Sequence, residues 1–445
     1  MRGLRAIFRG RAATDPPLHP RTSHEPIERP DGDLHRRSSL DRPLAPVGER
    51  PHRFTEEQLS LARRHHVPAS LLDHCARIDD SSLRLLGTGG TNPVFTAIAV
   101  PPDGSPFEGV YKAETFANFA YAHDAGIAAD HQDWAMRNLA TVNVDRFLWG
   151  EAGVIPRTHL ALRGNEFGCI MQRAGGISPV VTGSRTITVG DEAANALSAD
   201  AGLLDDFAQS KGFSGVAISG RAVTLKNQEI ANEIDFGNSL VRRELTRLQW
   251  LDALTGQCDR NLCNYFVQVG SEGADVRVWG IDNDIAFGTT VTRPDGSLIG
   301  FAARLPRVID RVTYTRLFEL TPEVLAGLCP GRSAAEIAAA QSRLAAIKAH
   351  LQSTDVRVLE MSQEWKGPEV EDALGIVDFS DEDRWLSQEQ INNALMEARQ
   401  TSYLAYADAY QQAVALRVGY PSAVAVLYKD HAIEDFVENR TRRGR

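Results

Sequence analysis

Cysteine is scarce, and none is arranged to do chemistry. The five residues, at 75, 169, 258, 263 and 329, form no Cys-x-x-Cys pair and no regular framework. That argues against a zinc ribbon or a disulfide scaffold and suits a reducing compartment. No apolar run approaches the roughly 20 residues needed to cross a bilayer, so no transmembrane segment is expected. The glycine-rich stretch at 87–90 is not followed by Gly-Lys-Ser/Thr, which excludes a Walker loop. Positive charge is not in excess either: the net charge is -10. Residues 1–53 carry 11 Arg against 7 Asp/Glu, a surplus of 4, so the remaining residues carry -14. An acidic body argues against a nucleic-acid partner.

What is present is enough for a sizeable core. Hydrophobic residues make up 43% and charged residues 24% of 445, the balance of a soluble globular protein. Residues 1–53 hold eight of the 21 prolines and few consecutive apolar residues. Such a segment cannot bury enough surface to offset its ordering entropy and is expected to be a disordered Arg/Pro-rich leader. It has no apolar core of a secretory signal; a transit peptide or a bacterial export leader are the alternatives.

Thr55-Glu-Glu opens a helix, and Pro68 separates it from a second helix through about Arg77. From Ser82 the texture becomes strand-like: Leu83–Leu86, Val94–Val100 and Gly109–Glu114, then a helix over about Asp130–Trp149 and strands near Arg157–Leu162 and Glu166–Gln172. Beyond Gly176 helices and loops are expected, with an amphipathic helix at Ser239–Leu254 and mostly helix over 317–418. Strands first and helices later indicate an α+β protein. The expected division is 54–80 as a helical extension, 81–176 as a small β-rich lobe, 177–316 as a second, helical lobe, and 317–445 as its helical continuation.

Three segments carry the chemistry. Leu86-Gly87-Thr88-Gly89-Gly90-Thr91-Asn92 lies between two expected strands, where glycines let backbone N–H groups approach phosphate oxygens. An ordinary hairpin turn fits it as well. One strand later comes Val110-Tyr111-Lys112, a strand lysine suited to diffuse phosphate charge. The third is Asp259-Arg-Asn-Leu-Cys-Asn264, followed after a strand and a turn by Ile281-Asp282-Asn-Asp284. An Asp, an Asn five positions on, and an Asp at a strand end form a phosphoryl-transfer layout. Asp259 would orient an acceptor hydroxyl, while Asn264 and Asp282, with Asp284 as a second carboxylate, would offer the hard oxygens Mg²⁺ prefers. Met171, Gln172 and Ala174 sit where an interlobe hinge would recognise adenine through its backbone. Arg260 is read as structural, packing against the loop.

In that order, the glycine loop, Lys112, Asp259, Asn264 and Asp282 resemble the protein-kinase-like superfamily, in its atypical branch that includes phosphatidylinositol 3/4-kinases. Asp259-Arg-Asn-Leu-Cys-Asn264 is similar to that branch's Asp-Arg-His-x-x-Asn loop, with Asn261 in place of His. Arg137-Asn138 through Pro156-Arg157 is similar to the branch's helix and the entry to its fourth strand. Bacterial effector kinases delivered into host cells show comparable layouts. The resemblance covers about residues 82–290 and implies a bilobal kinase-like fold, ATP with Mg²⁺ (Mn²⁺ as the alternative ion), and transfer of the γ-phosphate to a hydroxyl. The implied location is the cytoplasm or a host cell reached by specialised secretion, with a host activator as a further partner. Where the family places an acid to pair with the lysine, this chain has Asn138; Asp133 and Asp145 are the fallback partners.

A protein substrate is expected over a phosphoinositide. The segment 288–311 carries scattered Arg293, Arg304, Arg307 and Arg311 without a basic cluster, and no membrane-binding helix is visible. A phosphoinositide or inositol phosphate kinase, a nucleotide-binding pseudokinase scaffold, and nucleotidyl transfer are the rival readings. Ile234-Asp-Phe-Gly237 mimics a metal-binding tripeptide but precedes Asp259 and is read as a turn leading into a helix. His65-His66 and His74-Cys75 are read as core or surface residues.

Overall fold

A computed structural model of the chain describes residues 55–419 except 73, 89–92, 103–104, 115–119, 165, 189, 200–214, 271–274, 293–303, 354, 361–363 and 378–387. The expected leader, 1–53, lies outside the described residues.

The first half is built on a closed barrel. Two short helices, α1 (Glu56–Arg64) and α2 (Ala69–Leu72), precede β1 (Ala76–Thr88), β2 (Pro93–Val100) and β3 (Phe107–Ala113). After α3 (Ala120–Asp124) and α4 (Trp134–Trp149) come β4 (Thr158–Arg163) and β5 (Glu166–Gln172). The strand order is β1-β2-β3-β5-β4, closed by a parallel pairing of Ala76 with Ala161 and Arg77 with Leu162. Small side chains make the tight closure possible: Ala76, Ala97, Ala99 and Ala161 surround Tyr111 and Ile170 inside. Strand alternation then sends Lys112, next to Tyr111, to the opposite side of β3. On the barrel's outer face, Leu61, Val67 and Leu72 pack with Met136, Leu160 and Phe167.

The second half contains β6 (Val180–Thr188), α5 (Asp191–Ala199), β7 (Gly215–Ser219) and β8 (Ala222–Ala231), then α6 (Ser239–Thr255). The hairpin β9 (Tyr265–Val269) and β10 (Val276–Gly280) follows. The rest is β11 (Val308–Asp310), α7 (Arg311–Glu319), α8 (Pro322–Leu328), α9 (Ala334–Leu351), β12 (Arg357–Leu359), α10 (Pro368–Leu374), α11 (Gln388–Thr401) and α12 (Tyr403–Gly419). The chain is an α+β protein. Its largest core surrounds α6, whose Val241, Leu245, Leu248, Leu251 and Leu254 meet Val144 and Leu148 of α4 and Leu344 and Ile347 of α9. A helix buried on most of its sides has no solvent stripe to reveal its orientation.

Three elements differ from the sequence reading. The second helix expected through Arg77 ends at Leu72, because Ala76 and Arg77 are claimed by the barrel closure. The helix expected from Asp130 begins at Trp134, since Asp133 is held in the left-handed region at φ 44. Between Val180 and Ala231, where helices and loops are expected, the order β6-β8-β7 forms a three-stranded antiparallel sheet. The signal was the β-branched pair Val223-Thr224 shortly after the turn Ser219-Gly220-Arg221, with Gly220 at φ 57.

Helix α6 positions the site and is fixed at both ends. Asn238 caps it by accepting from the Leu240 and Val241 N–H groups. Gly256 ends it at φ 70, its N–H donating to the Asp252 carbonyl. A Cβ at Gly256 would lie 2.8 Å from Cζ of the buried Arg343. Gly256→Ala is therefore expected to lower stability by at least about 1 kcal/mol, from left-handed strain alone. Urea unfolding of the two proteins measures it, and equal midpoints would contradict the role given to this turn.

Candidate active site

Lys112 meets the loop after β10. Its Nζ lies 2.6 Å from Asp282 Oδ1 and also donates to Asp284 Oδ2. Asp282 has φ 59, a left-handed turn that puts both carboxylates around one ammonium. Burial alone would lower the Lys112 pKa, but the two acids hold it above its ordinary value. The acids divide their charge. Burial pushes Asp282 up, yet Lys112 prevails and keeps it below the usual carboxylate range. Burial and the Asp282 charge raise Asp284, with only partial relief from Lys112.

The segment 257–264 faces this cluster and is tied to it through the backbone. The Gln257 side chain accepts from the Asp259 N–H at 3.1 Å and donates to the Asp282 carbonyl at 2.8 Å. The Asn264 amide donates to the Asp259 carbonyl at 2.7 Å, leaving its own side-chain oxygen available. The Ile281 N–H donates to the Asn264 carbonyl at 2.9 Å, so the two loops run side by side. Arg260, wholly buried, clasps Asp252 with two nitrogens at 2.8 and 3.0 Å. It also donates to the carbonyls of Asn264 and Ile281 and to the Asn283 side chain. It is a brace between the loops, in keeping with the structural reading of the sequence.

Asp259 is half-buried, and its carboxylate makes no hydrogen bond among the described residues. Burial, then the charges of Asp282 and Asp284, push it up to about 6. Three acids and one lysine thus share one electrostatic neighbourhood.

The acid expected on α4 to pair with Lys112 is not there. Asn138 instead donates to the Trp134 carbonyl at 3.0 Å and accepts from the Asn283 N–H at 3.2 Å, steadying the Asp282 loop. Asp133 faces His66, His131 and Arg332. Asp145 is buried and accepts from the Val154 N–H at 2.8 Å, and burial pushes it up to about 7. The fallback pairings with Asp133 and Asp145 are therefore corrected: Lys112 spends its charge on Asp282 and Asp284. Sequence reasoning missed Glu114, two residues beyond Lys112, which accepts from the Trp134 and Ala135 N–H groups at 2.6 and 2.7 Å. It caps α4 in place of Asp133, and burial pushes it up to about 7. Its position two residues on along the strand, on the same face as Lys112, was the available signal.

Of the glycine-rich stretch, Gly87 belongs to β1 opposite Val94; Gly89, Gly90, Thr91 and Asn92 lie outside the described residues. Met171 and Gln172 end β5, paired with Val110 and Gly109 of β3. Ala174 follows them, and the chain then turns at Gly176, φ 85, to exchange two backbone hydrogen bonds between Ile177 and Val267. The segment after β5 thus docks on the strand that follows Asn264.

No protein-family model matches the chain, and no curated protein matches it in sequence. Among solved structures it has a weak likeness to kinases. The Helicobacter pylori proinflammatory kinase CtkA is 10% identical with a TM-score of 0.29, over 62% of this chain and 92% of that one. The FAT and kinase domain of CtTel1 is 12% identical with a TM-score of 0.29, over 75% of this chain and 23% of that one. The complete CtTel1 dimer is 12% identical with a TM-score of 0.29, over 74% of this chain and 12% of that one. The chain spans less than a quarter of the CtTel1 structures.

A carboxyl whose pKa is raised on folding keeps its proton longer in the folded state. Stability then falls as pH rises from about 4, its ordinary value, through about 6. Asp259→Asn should be indistinguishable from the parent near pH 4 and more stable near pH 8 by about 1 kcal/mol, allowing for its partial exposure. Urea unfolding at the two pH values checks this. A variant less stable at the higher pH would mean that Asp259 has a partner.

Proposed function

We propose that the chain is an ATP-dependent phosphotransferase of the kinase-like class, moving the γ-phosphate to a hydroxyl on a protein. The observation that carries this is the meeting of Lys112 with Asp282 and Asp284, within the electrostatic reach of Asp259. These residues lie as much as 172 positions apart in the chain. The donor chemistry fits a hard dication: Asn264 offers an amide oxygen and Asp282 and Asp284 carboxylates, the set Mg²⁺ prefers, with Mn²⁺ as the alternative. The acids already draw in a cation, the Lys112 ammonium. Bound Mg²⁺ would supply charge neutralisation on the phosphates.

The remaining roles belong to the chain. Lys112, released from one or both acids, supports the α- and β-phosphates as a point charge. Asp259 orients the acceptor hydroxyl and takes its proton on a carboxylate oxygen while the hydroxyl oxygen bonds to the γ-phosphorus and the bond to the β–γ bridging oxygen breaks. The unbonded Asp259 carboxylate leaves that proton somewhere to go. Gln257 and Arg260 hold the two loops in register, so little reorganisation is left for the reaction itself. The backbone of 171–174 and the glycine-rich stretch 87–92 are the proposed adenine and phosphate contacts.

A protein acceptor is favoured over a phosphoinositide because the segment 288–311 carries no basic cluster, and two of its arginines already have partners. Arg307 donates to the Asp372 carbonyl, and Arg311 pairs with Glu360. Neither stands open for an inositol phosphate.

Incubation of the purified chain with Mg²⁺, γ-labelled or α-labelled ATP and either cell lysate or phosphoinositide vesicles tests the reading. Transfer of γ-label to protein is expected, abolished in Asp259→Ala and reduced at least about 10-fold in Lys112→Ala, roughly 1.4 kcal/mol of transition-state stabilisation. Label reaching only the vesicles would make the acceptor a lipid. Transfer of α-label would make the reaction nucleotidylation, and ATP binding with no transfer would make the chain a scaffold.

A further inference from the structure

A second cluster lies at the N-terminal end of α4 and takes no part in the proposed reaction. His66 Nδ1 is 2.9 Å from His131 Nδ1 and 3.1 Å from Asp133 Oδ2. His131 Nδ1 is 3.2 Å from the same carboxylate oxygen. Three metal-ligating atoms thus form a nearly equilateral triangle, drawn from the turn after α1 and the approach to α4. The sequence reading of His66 as a core or surface residue missed this, because its partners lie 65 and 67 positions away.

Proton counting shows that no single proton serves all three edges of the triangle. Each imidazole nitrogen has either one proton or one lone pair. With a proton on both Nδ1 atoms, two N–H groups confront each other across 2.9 Å. With a proton on neither, two lone pairs face a carboxylate oxygen. With a proton on one, that N–H can serve the other nitrogen or Asp133 but not both at full strength. A single cation among the three satisfies all of them together.

The size and surroundings agree. Zn–N and Zn–O distances of about 2.0–2.2 Å in a tetrahedral site put ligands roughly 3.3 Å apart. The observed edges need to open by only a few tenths of an ångström, and the His66 side chain is 45% exposed and free to give. Among the described residues His131 Nε2 has no hydrogen-bond partner, but it lies 3.5 Å from Glu336 Oε2. A carboxylate on the far nitrogen of a ligating imidazole is a recurring support in metal sites. Buried Arg332 touches Asp133 Oδ2 at 3.2 Å and opposes a dication, while Glu336 answers the charges of Arg332 and Arg137.

We infer that His66, His131 and Asp133 form a binding site for a transition-metal dication of the zinc type, with water in the fourth position. The ion would join the turn after α1 to the start of α4, the helix whose Asn138 steadies the Asp282 loop.

The test uses the full chain, stripped with a chelator and titrated with Co²⁺, whose visible absorption reports tetrahedral coordination, and with Zn²⁺ by calorimetry. One Co²⁺ with tetrahedral bands, displaced by Zn²⁺, is expected. His66→Gly suits the backbone, since His66 already has φ 53. It and Asp133→Asn, each confirmed as folded by circular dichroism, should weaken Zn²⁺ binding by at least about 10-fold. Asp282→Asn, in the proposed Mg²⁺ site, should leave it unchanged. Absence of tetrahedral bands in the parent, parental affinity in both cluster variants, or loss of the bands in Asp282→Asn would each overturn the assignment. None of these readouts depends on phosphate transfer, so this inference and the proposed function can fail separately.

Discussion

Arg260 is the interaction on which the site depends. One wholly buried guanidinium reaches Asp252 on α6, the carbonyls of Asn264 and Ile281, and the side chain of Asn283. A planar fork of five donors can serve that many acceptors at once; an ammonium cannot. The cost of burying the charge is offset by the Asp252 carboxylate, which accepts from it twice. Asp259 and Asn264 are thereby held next to the loop that carries Asp282 and Asp284. Without Arg260 the two loops would keep the β9–β10 ladder beside them, the Ile281–Asn264 backbone bond and the Gln257 bridge, but lose the side-chain brace to α6.

A division of labour follows. Residues that shape the site are satisfied: buried Arg260, Gln257 and Asn138 and half-buried Glu114 each have their partners. Residues proposed to act are not. Asp259 has a half-buried carboxylate without a hydrogen bond, and Asp282 and Asp284 share one ammonium. Frustrated charge held in place by hydrogen-bonded neighbours is how stability is exchanged for chemistry.

The sequence made the local parts legible. Asp259, Asn264 and Asp282 lie within 24 positions of one another, so their spacing survives as a pattern. The barrel strands were legible from alternation and turn residues. Contacts that span the chain were not. The meeting of Lys112 with Asp282 and Asp284 joins residues 170 and 172 apart, and no periodicity encodes it. Asn138 was read as a missing acid, whereas its amide does what an acid could not, donating to one backbone group and accepting from another. The sheet β6-β8-β7 was overlooked because its strands mix Thr, Ser, Gly and Lys with the apolar residues and lack clean alternation. The capping by Glu114 was hidden because capping is sought one residue before a helix, and here the carboxylate comes from a different strand.

The carboxylate that anchors Arg260 has a third guest. The Tyr403 hydroxyl donates to Asp252 Oδ2 at 2.9 Å from the first turn of α12, 151 residues further along the chain. On the ribosome, at roughly 5–20 residues per second, that interval lasts on the order of ten to thirty seconds. Throughout it the Asp252–Arg260 pair lacks its hydrogen bond to Tyr403. The hydrogen-bond set around the Asp252–Arg260 pair is thus complete only once the α12 segment has been made.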